Sequence, residues 1–129
     1  MLCFLVTNHI NFKSIGNQEI KLKGSKSICN RALILASLGR GEILLTNFLF
    51  SEDTIVMIKC LKSMGVEIYE IDLSSIKVIG HQNKFENIKA TLNVENAGTA
   101  ARFLVVVSTI CKNSEITIDG NSRMRERPI

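Results

Sequence analysis

The hydrophobic pattern of this chain switches repeatedly between the alternation of strands and the spacing of helices. Alternating apolar residues end at Leu22, and from Ser27 to Leu38 the apolar positions fit a mostly buried helix, with Gly39 expected as its C′ residue. The segment "GEILLTNFLF" (41–50) then returns to a strand pattern. This alternation predicts an α/β (α+β) fold.

A second helix is predicted to begin at Ser51, whose hydroxyl can cap it and whose next two residues are acids that suit the positive end of the helix dipole. Gly65 is predicted to close this helix. Its buried face is expected to consist of Ile55, Met57, Ile58, Leu61 and Met64. Two strands, "VEIYEID" and "SIKVIG", follow around a turn at Leu73-Ser74. Residues 20–80 therefore form one complete β-α-β-α-β-β unit.

The remainder of the chain resembles the start of a second copy of this unit. A third helix is expected near Asn96, "EITIDG" is predicted to be a strand, and "NSRMRERPI" to approach a fourth helix with Pro128 at an early helical position. Two strands around Gly16-Asn17 are predicted before the first helix. Because the second unit is incomplete at residue 129, we expect the chain to be a fragment.

The composition fits one globular domain. The chain has 129 residues, of which 46% are hydrophobic. The longest apolar run near the start, "MLCFLV", is too short for a membrane span and lacks the flanks of a signal peptide, so it is predicted to be a buried strand. We expect a cytoplasmic protein with no membrane partner.

The cysteines and histidines do not predict a metal site. Cys3, Cys29, Cys60 and Cys111 contain no C-x-x-C pair, and we expect reduced thiols without zinc or disulfides. His9 and His81 have no partner at metal-ligand spacing, and neither is assigned a role.

Positive charge is concentrated in two windows although the net charge is only +4. The cations of these windows are Lys21, Lys23, Lys26 and Arg31 in the first, and Arg123, Arg125 and Arg127 in the second. Such clusters fit a small anionic ligand better than a nucleic acid, which would also need more aromatic side chains beside them for stacking.

The motif "GSKSICNRA" (24–32) lies at the start of the first helix, with no acid near it in the sequence. Helix starts attract anions, and Lys26 with Arg31 would complete a cradle for a phosphate or carboxylate, while Gly24 would let a ligand approach the backbone. A plainer interpretation is that Ser25 caps the helix and both cations are solvated. Cys29 has two possible states: a thiol whose pKa is lowered by the helix start and Lys26, or a thiol that is buried and inert.

The motif "NAGTAAR" (96–102) repeats this pattern. Asn96 is expected to cap a helix, Gly98 to leave space for a ligand, and Thr99 and Arg102 to offer polar groups. An alternative interpretation of the same motif is that its small residues allow close packing of the helix. For "SRMRERPI" the alternative is a solvated charge run.

In this order the three motifs resemble the amino-terminal part of the 5-enolpyruvylshikimate-3-phosphate (EPSP) synthases, from Ile10 to the last residue. The resemblance implies two domains of three β-α-β-α-β-β units each. Residues 1–23 would belong to the other domain and the hinge, and residues 24–129 would form a partial domain, with units at about 24–80 and 90–129. It also implies transfer of the enolpyruvyl group of phosphoenolpyruvate to shikimate 3-phosphate by a monomer that uses no metal or organic cofactor.

The resemblance also implies roles for individual residues. Lys26 would contact both substrates as a catalytic residue, and Ser27 and Arg31 would hold shikimate 3-phosphate. The phosphoenolpyruvate site would consist of Lys26, Asn96, Gly98, Thr99, Arg102 and Arg123.

Several features depart from the family pattern. Lys23 and Phe103 replace prolines, and Phe50 replaces an acid. The family's catalytic carboxylates fall outside these residues, so we expect no turnover by the chain alone. The segment "MLCFLVTNHINF" would lack its usual partner and promote self-association. Two alternatives stay open: a stand-alone or degenerate anion-binding module, and a relative of the UDP-N-acetylglucosamine enolpyruvyl transferases.

Overall fold

A computed structural model describes residues 2–5, 24–82 and 84–128. In chain order these residues form β1 (Leu2–Leu5), α1 (Lys26–Leu38), β2 (Arg40–Thr46), α2 (Glu52–Ser63), β3 (Glu67–Asp72), β4 (Ser75–His81), β5 (Lys89–Asn93), α3 (Gly98–Ser108), β6 (Glu115–Asp119) and α4 (Ser122–Arg125). The mixed α/β class predicted from the periodicity is confirmed. The predicted strands around Gly16-Asn17 and the predictions for His9, Lys21 and Lys23 lie outside the described residues.

Two sheets carry the strands. The larger has the order β1-β2-β4-β3, in which β2 and β3 both run antiparallel to β4 and β1 runs parallel to β2. Strand β1, which was expected to lack its usual partner, pairs with β2 of this chain, Leu2 with Ile43 and Leu5 with Thr46, and it lies at the edge of the sheet. The smaller sheet consists of β5 and β6 in parallel.

Helix α1 begins and ends without the caps that its sequence suggests. Ser25 occupies the N-cap in an extended conformation, and its side chain makes no capping hydrogen bond. Gly39 is the C-cap rather than a left-handed C′ residue, since its φ is −68°. A Cβ added at Gly39 would lie 2.9 Å from Cδ1 of Ile43, so the end of that side chain would have to shift to admit a larger residue.

Helix α2 follows the sequence prediction closely. The Ser51 hydroxyl accepts a hydrogen bond from the Thr54 N–H, and the Thr54 hydroxyl accepts one from the Ser51 N–H, which forms a capping box. Glu52 and Asp53 occupy the first turn, where the helix dipole favours acids. Ile55 is an exception to the predicted buried face, since 41% of its surface is exposed.

One hydrophobic core joins both units. Helices α1, α2 and α3 contact one another, α1 packs on β4, α2 contacts β5 and α3 contacts β6. The largest fully buried apolar side chains include Leu33, Leu45, Met57, Ile76, Leu92 and Leu104. The helices that carry the motifs described below therefore pack around a shared core.

The end of β2 and the position of Pro128 differ from the sequence prediction. The strand predicted over 41–50 ends at Thr46, because Asn47 adopts a positive φ of 54°. Helix α4 spans Ser122–Arg125 and Pro128 lies beyond its end, so Pro128 is not at an early helical position. The predicted third helix, the strand over "EITIDG" and the approach to a fourth helix are otherwise confirmed. Within the described ranges no helix is both long enough and apolar enough to cross a membrane.

Candidate functional site

The second and third motifs meet at one edge of the smaller sheet. Because β5 and β6 run parallel, their carboxyl ends lie side by side, and the loops after them carry "NAGTAAR" and "SRMRERPI". The Asn121 N–H donates to the carbonyl oxygen of Glu95 at 2.9 Å, and the Val94 N–H donates to that of Asp119 at 2.8 Å. These bonds hold the two loops together.

The arginines of the third motif differ in their contacts. Arg125 binds Asp119 through two hydrogen bonds of 2.9 and 2.6 Å, and this contact lowers the pKa of the Asp119 carboxyl to about 2. Arg127 donates from Nη1 to the carbonyl oxygen of Asn96 at 3.4 Å. Arg123 is exposed and has no hydrogen-bond or ion-pair partner in the described part of the chain, so it is free to meet a ligand.

In the first motif, Gly24 serves chain packing. A Cβ at this position would lie only 2.3 Å from the carbonyl oxygen of Asn47. The expectation that Gly24 leaves room for a ligand is therefore wrong, because the room is already filled by the backbone that follows β2. Ser25 and Ser27 make no side-chain hydrogen bond to the described residues, so their hydroxyls can donate to an anion.

Lys26 has an acidic partner that is remote in sequence. Its Nζ atom lies 3.1 Å from Oδ2 of Asp53 in the first turn of α2, and 50% of the lysine side chain remains exposed. The sequence impression that no acid lies near Lys26 is wrong. The lysine is fixed at the junction of two helix N-termini, with half of its surface still available.

Arg31 lies one turn further along α1. Its Nη1 donates to the carbonyl oxygen of Ser27 at 3.1 Å, and its Cζ lies 5.6 Å from the ring centroid of Phe103 on α3. No carboxylate lies within ion-pair distance of Arg31 among residues 24–82 and 84–128. Both cations of the first motif are thus accessible, and only Lys26 is partly neutralised.

Cys29 is a structural thiol. It is fully buried, and burial raises the pKa of its thiol. Its sulfur accepts a hydrogen bond from the Leu49 N–H at 3.3 Å. Full burial and the raised pKa favour the buried, inert thiol over the alternative of a lowered pKa.

In the second motif some residues serve close helix packing, and another leaves open space. Ala97 and Ala100 are buried in the core, as close packing requires, whereas a Cβ on Gly98 would meet only Nη1 of Arg127, at 3.4 Å. Ala97 is the N-cap of α3, so the expectation that Asn96 caps this helix is wrong. The side-chain Oδ1 of Asn96 is instead buried with no hydrogen-bond partner among the described residues.

Thr99 and Arg102 follow in α3. Thr99 is partly buried in its first turn. Arg102 is exposed and makes no ion pair with the described residues. Both side chains therefore keep their polar groups available beside Gly98.

A cavity of about 410 Å³ lies between α2 and the loops of the second unit. It is lined by Glu52, Asp53, Ile55, Val56, Lys59, Glu95, Asn96, Ala97 and Asn121. Asn96 is the one predicted site residue in this lining. Because three carboxylates face one lysine, the cavity suits an anion poorly, and the open surface around Lys26 and Arg31 is the better candidate. In the described part, no group of three or more acidic, histidine or cysteine side chains could hold a metal ion.

Comparison with known proteins identifies the family. The sequence profile of EPSP synthase (3-phosphoshikimate 1-carboxyvinyltransferase) matches residues 13–129. The chain belongs to the EPSP synthase family. A relative named 3-phosphoshikimate 1-carboxyvinyltransferase from Nostoc sp. is 42% identical over 85% of this chain, which corresponds to 26% of the relative. The pentafunctional AROM polypeptide of Komagataella phaffii is 42% identical over 99% of this chain, which corresponds to 9% of that polypeptide.

A solved structure supports the same fold. The EPSP synthase from Acinetobacter baumannii superposes with a TM-score of 0.75 at 23% identity, over 84% of this chain and 25% of that structure. The chain thus spans about a quarter of the length of the single-function relatives. The predictions of family and fold made from the three motifs are confirmed.

Sequence reasoning about this EPSP synthase family member missed two residues that contact the predicted site. Asp53 pairs with Lys26, and Phe103 faces Arg31. The sequence does indicate that Asp53 lies in the first turn of a capped helix. The capping pattern does not indicate which other helix packs beside that turn. Phe103 was noted only as a departure from the family's proline.

Proposed function

We propose that this chain forms part of the substrate site of a 3-phosphoshikimate 1-carboxyvinyltransferase. The whole protein would transfer the enolpyruvyl group of phosphoenolpyruvate to the 5-hydroxyl of shikimate 3-phosphate and release phosphate. The observation that carries this proposal is the pair of accessible cations, Lys26 and Arg31, on the first two turns of a helix that has no acid in its first turn. Such a helix start favours a bound phosphate through its free N–H groups and its dipole.

The proposed roles divide between the two substrates. Arg31 and the Ser27 hydroxyl bind the phosphate of shikimate 3-phosphate, and Lys26 contacts both substrates as the catalytic residue. Phosphoenolpyruvate would contact the second and third motifs through Asn96, Gly98, Thr99, Arg102 and Arg123. Support comes from the open space at Gly98 and the absence of an ion-pair partner for Arg123 among the described residues.

The chemistry requires stabilisation of negative charge. Over the whole reaction the 5-hydroxyl oxygen loses its proton and forms a bond to C2 of phosphoenolpyruvate, the bond from C2 to the phosphate oxygen breaks, and the leaving phosphate carries away the bonding electrons and, in the net balance, the proton. Negative charge therefore develops on the phosphate as it leaves. Convergent cations and N–H donors lower the barrier of such a step because they are already oriented when the charge appears. The catalytic carboxylates would come from the rest of the protein, so the chain alone would bind without turnover.

The same proposal includes the domain organisation, the cellular location and the oligomeric state of the protein. Residues 1–23 would form the hinge and strands of a second domain, and residues 24–129 a partial domain. The whole protein would act in the cytoplasm as a monomer without a resident cofactor, whereas this chain would self-associate.

A residue-resolved titration tests the proposal. Shikimate 3-phosphate added to the ¹⁵N-labelled chain should shift the amide signals of residues 25–31 and leave the β3–β4 hairpin unchanged. Lys26→Met should weaken binding by about tenfold or more, because it removes a charge-assisted hydrogen bond. Lys77→Met is the matched control, since Lys77 is also paired with an acid, Glu42 at 3.6 Å, but lies on β4. Equal effects of both variants would overturn the proposed site.

A further inference from the structure

Arg31 is positioned by a carbonyl group and an aromatic ring rather than by an acid. Its Nη1 donates to the carbonyl oxygen of Ser27 at 3.1 Å, and its Cζ lies 5.6 Å from the centroid of the Phe103 ring. This distance falls within the range of cation–π attraction. The described residues offer Arg31 no carboxylate within 4.0 Å.

Phe103 is a fixed surface against which the arginine can rest. Its ring is partly buried and packs against the hydrophobic core. Its helical neighbours Ala100 and Leu104 are fully buried, which anchors this part of α3. Because α1 and α3 contact each other, the ring lies beside the second turn of α1.

We propose that Phe103 is a positioning residue, which holds the guanidinium of Arg31 ready for a phosphate-bearing ligand. The proposal rests on the function proposed above, in which Arg31 binds shikimate 3-phosphate. Phe103 acts through Arg31 and need not touch the ligand itself.

The contrast with Lys26 shows what an aromatic partner achieves. A carboxylate such as Asp53 orients its cation but also cancels part of its charge. The face of an aromatic ring orients a guanidinium and leaves its full charge, and most of its N–H donors, for another partner. Arg31 is therefore ordered before the ligand arrives and remains electrostatically unsatisfied, which is the condition for tight binding of an anion.

The expected effect follows from the strength of an exposed cation–π contact. Phe103→Leu, which keeps an apolar side chain but removes the ring, should weaken binding of shikimate 3-phosphate by about two- to fivefold. Phe103→Tyr should retain the affinity of the unsubstituted chain. In an Arg31→Ala background, Phe103→Leu should have no further effect, because the residue through which Phe103 acts is gone.

The experiment combines calorimetry with NMR. Calorimetric titration with shikimate 3-phosphate gives the four affinities of the cycle formed by Phe103→Leu and Arg31→Ala. NMR of the ligand-free chain follows the Arg31 Nε–Hε signal, which the Phe103 ring current should displace and which Phe103→Leu should move. Val105→Ala is the matched control, since Val105 is an exposed residue on another face of α3 and should change neither readout.

Each outcome decides the matter. Affinity unchanged in Phe103→Leu, or weakened equally with and without Arg31, would overturn the positioning role. If the unsubstituted chain bound no shikimate 3-phosphate, the proposed function would fail for this chain. The positioning of Arg31 by Phe103 would then be supported by a ring-shifted Nε–Hε signal that moves in Phe103→Leu, and overturned by a signal that does not.

Discussion

Lys26 and Asp53 form an ion pair of 3.1 Å between the first turns of α1 and α2, and this pair sets the charge of the candidate site. Asp53→Asn should leave Lys26 uncompensated and strengthen binding of shikimate 3-phosphate by about two- to fivefold, because an exposed pair of this kind is worth at most about 1 kcal/mol. The substitution should also lower stability slightly, since it removes an acid from a helix N-terminus. Calorimetry and urea denaturation measure the two effects.

Glu52→Gln provides the control for this prediction. Glu52 lies beside Asp53 in the same turn, and the substitution makes the same change in charge, but Glu52 forms no ion pair with the described residues. It should change the affinity much less than Asp53→Asn. Weaker binding in Asp53→Asn than in the unsubstituted chain would show that Asp53 orients Lys26 more than it neutralises it.

Two glycines should respond oppositely to the same substitution. Gly24→Ala would place a methyl group 2.3 Å from the carbonyl oxygen of Asn47, and we expect a loss of roughly 2–3 kcal/mol in the free energy of unfolding. Gly98→Ala would meet only a flexible arginine side chain at 3.4 Å. It should leave stability unchanged or raise it by up to about 1 kcal/mol, because alanine favours the helix.

The ligand response of Gly98→Ala tests its proposed role. A methyl group in the space proposed for phosphoenolpyruvate should weaken binding of that substrate by about fivefold or more in an NMR titration. Full affinity in a stably folded Gly98→Ala chain would show that this glycine leaves no space for the ligand.

The sequence predicts those parts of the fold that depend on neighbouring residues. The capping box at Ser51 and the hairpin turn at Leu73-Ser74 are read correctly because their stabilising groups lie within a few residues of each other. The end of β2 is read wrongly because the apolar run continues to Phe50, whereas the positive φ of Asn47 stops the strand.

The contacts between elements are not readable from periodicity. A helical pattern shows which face of α1 is buried but not that Lys26 meets α2 or that Arg31 meets α3. In the same way, the sequence suggests that Gly24 lets a ligand approach the backbone, whereas the structure places the carbonyl oxygen of Asn47 in that space. The candidate site could be named from its motifs, but its charge balance and the positioning of its arginine required the packing of the helices.

The Asp119–Arg125 contact predicts a specific dependence of stability on pH. Arg125 lowers the pKa of Asp119 from its usual 3.8 to about 2 in the folded chain. A carboxyl with a depressed pKa stabilises the fold above its unfolded pKa and loses this contribution as pH falls through its folded pKa. Stability should therefore fall between about pH 4 and pH 2, and Asp119→Asn should reduce that fall.

Urea midpoints measured across this range test the prediction. Glu70→Gln is the control, because Glu70 is an exposed acid on β3 that forms no ion pair with the described residues. If Asp119→Asn and the unsubstituted chain lost stability in parallel, Asp119 would not be the group that titrates.

The buried thiols should resist alkylation. Burial raises the pKa of Cys29 and raises that of Cys60 to about 11, so both should stay unmodified by iodoacetamide at pH 8 in the folded chain. Peptide mass mapping should find Cys111, which is only partly buried, modified before either of them. All three should react in urea. Modification of folded Cys29 at the rate seen in urea would restore the possibility of a reactive thiol.

The most direct test of the proposed substrate site is calorimetric titration of the chain with shikimate 3-phosphate and, separately, with shikimate. Arg31→Ala should remove most of the affinity for the phosphorylated compound, whereas Arg40→Ala, an exposed arginine at the start of β2, should retain it. The proposed site predicts saturable binding of shikimate 3-phosphate and at least about tenfold weaker binding of shikimate. Equal affinity for the two compounds, or binding that survives Arg31→Ala, would contradict it.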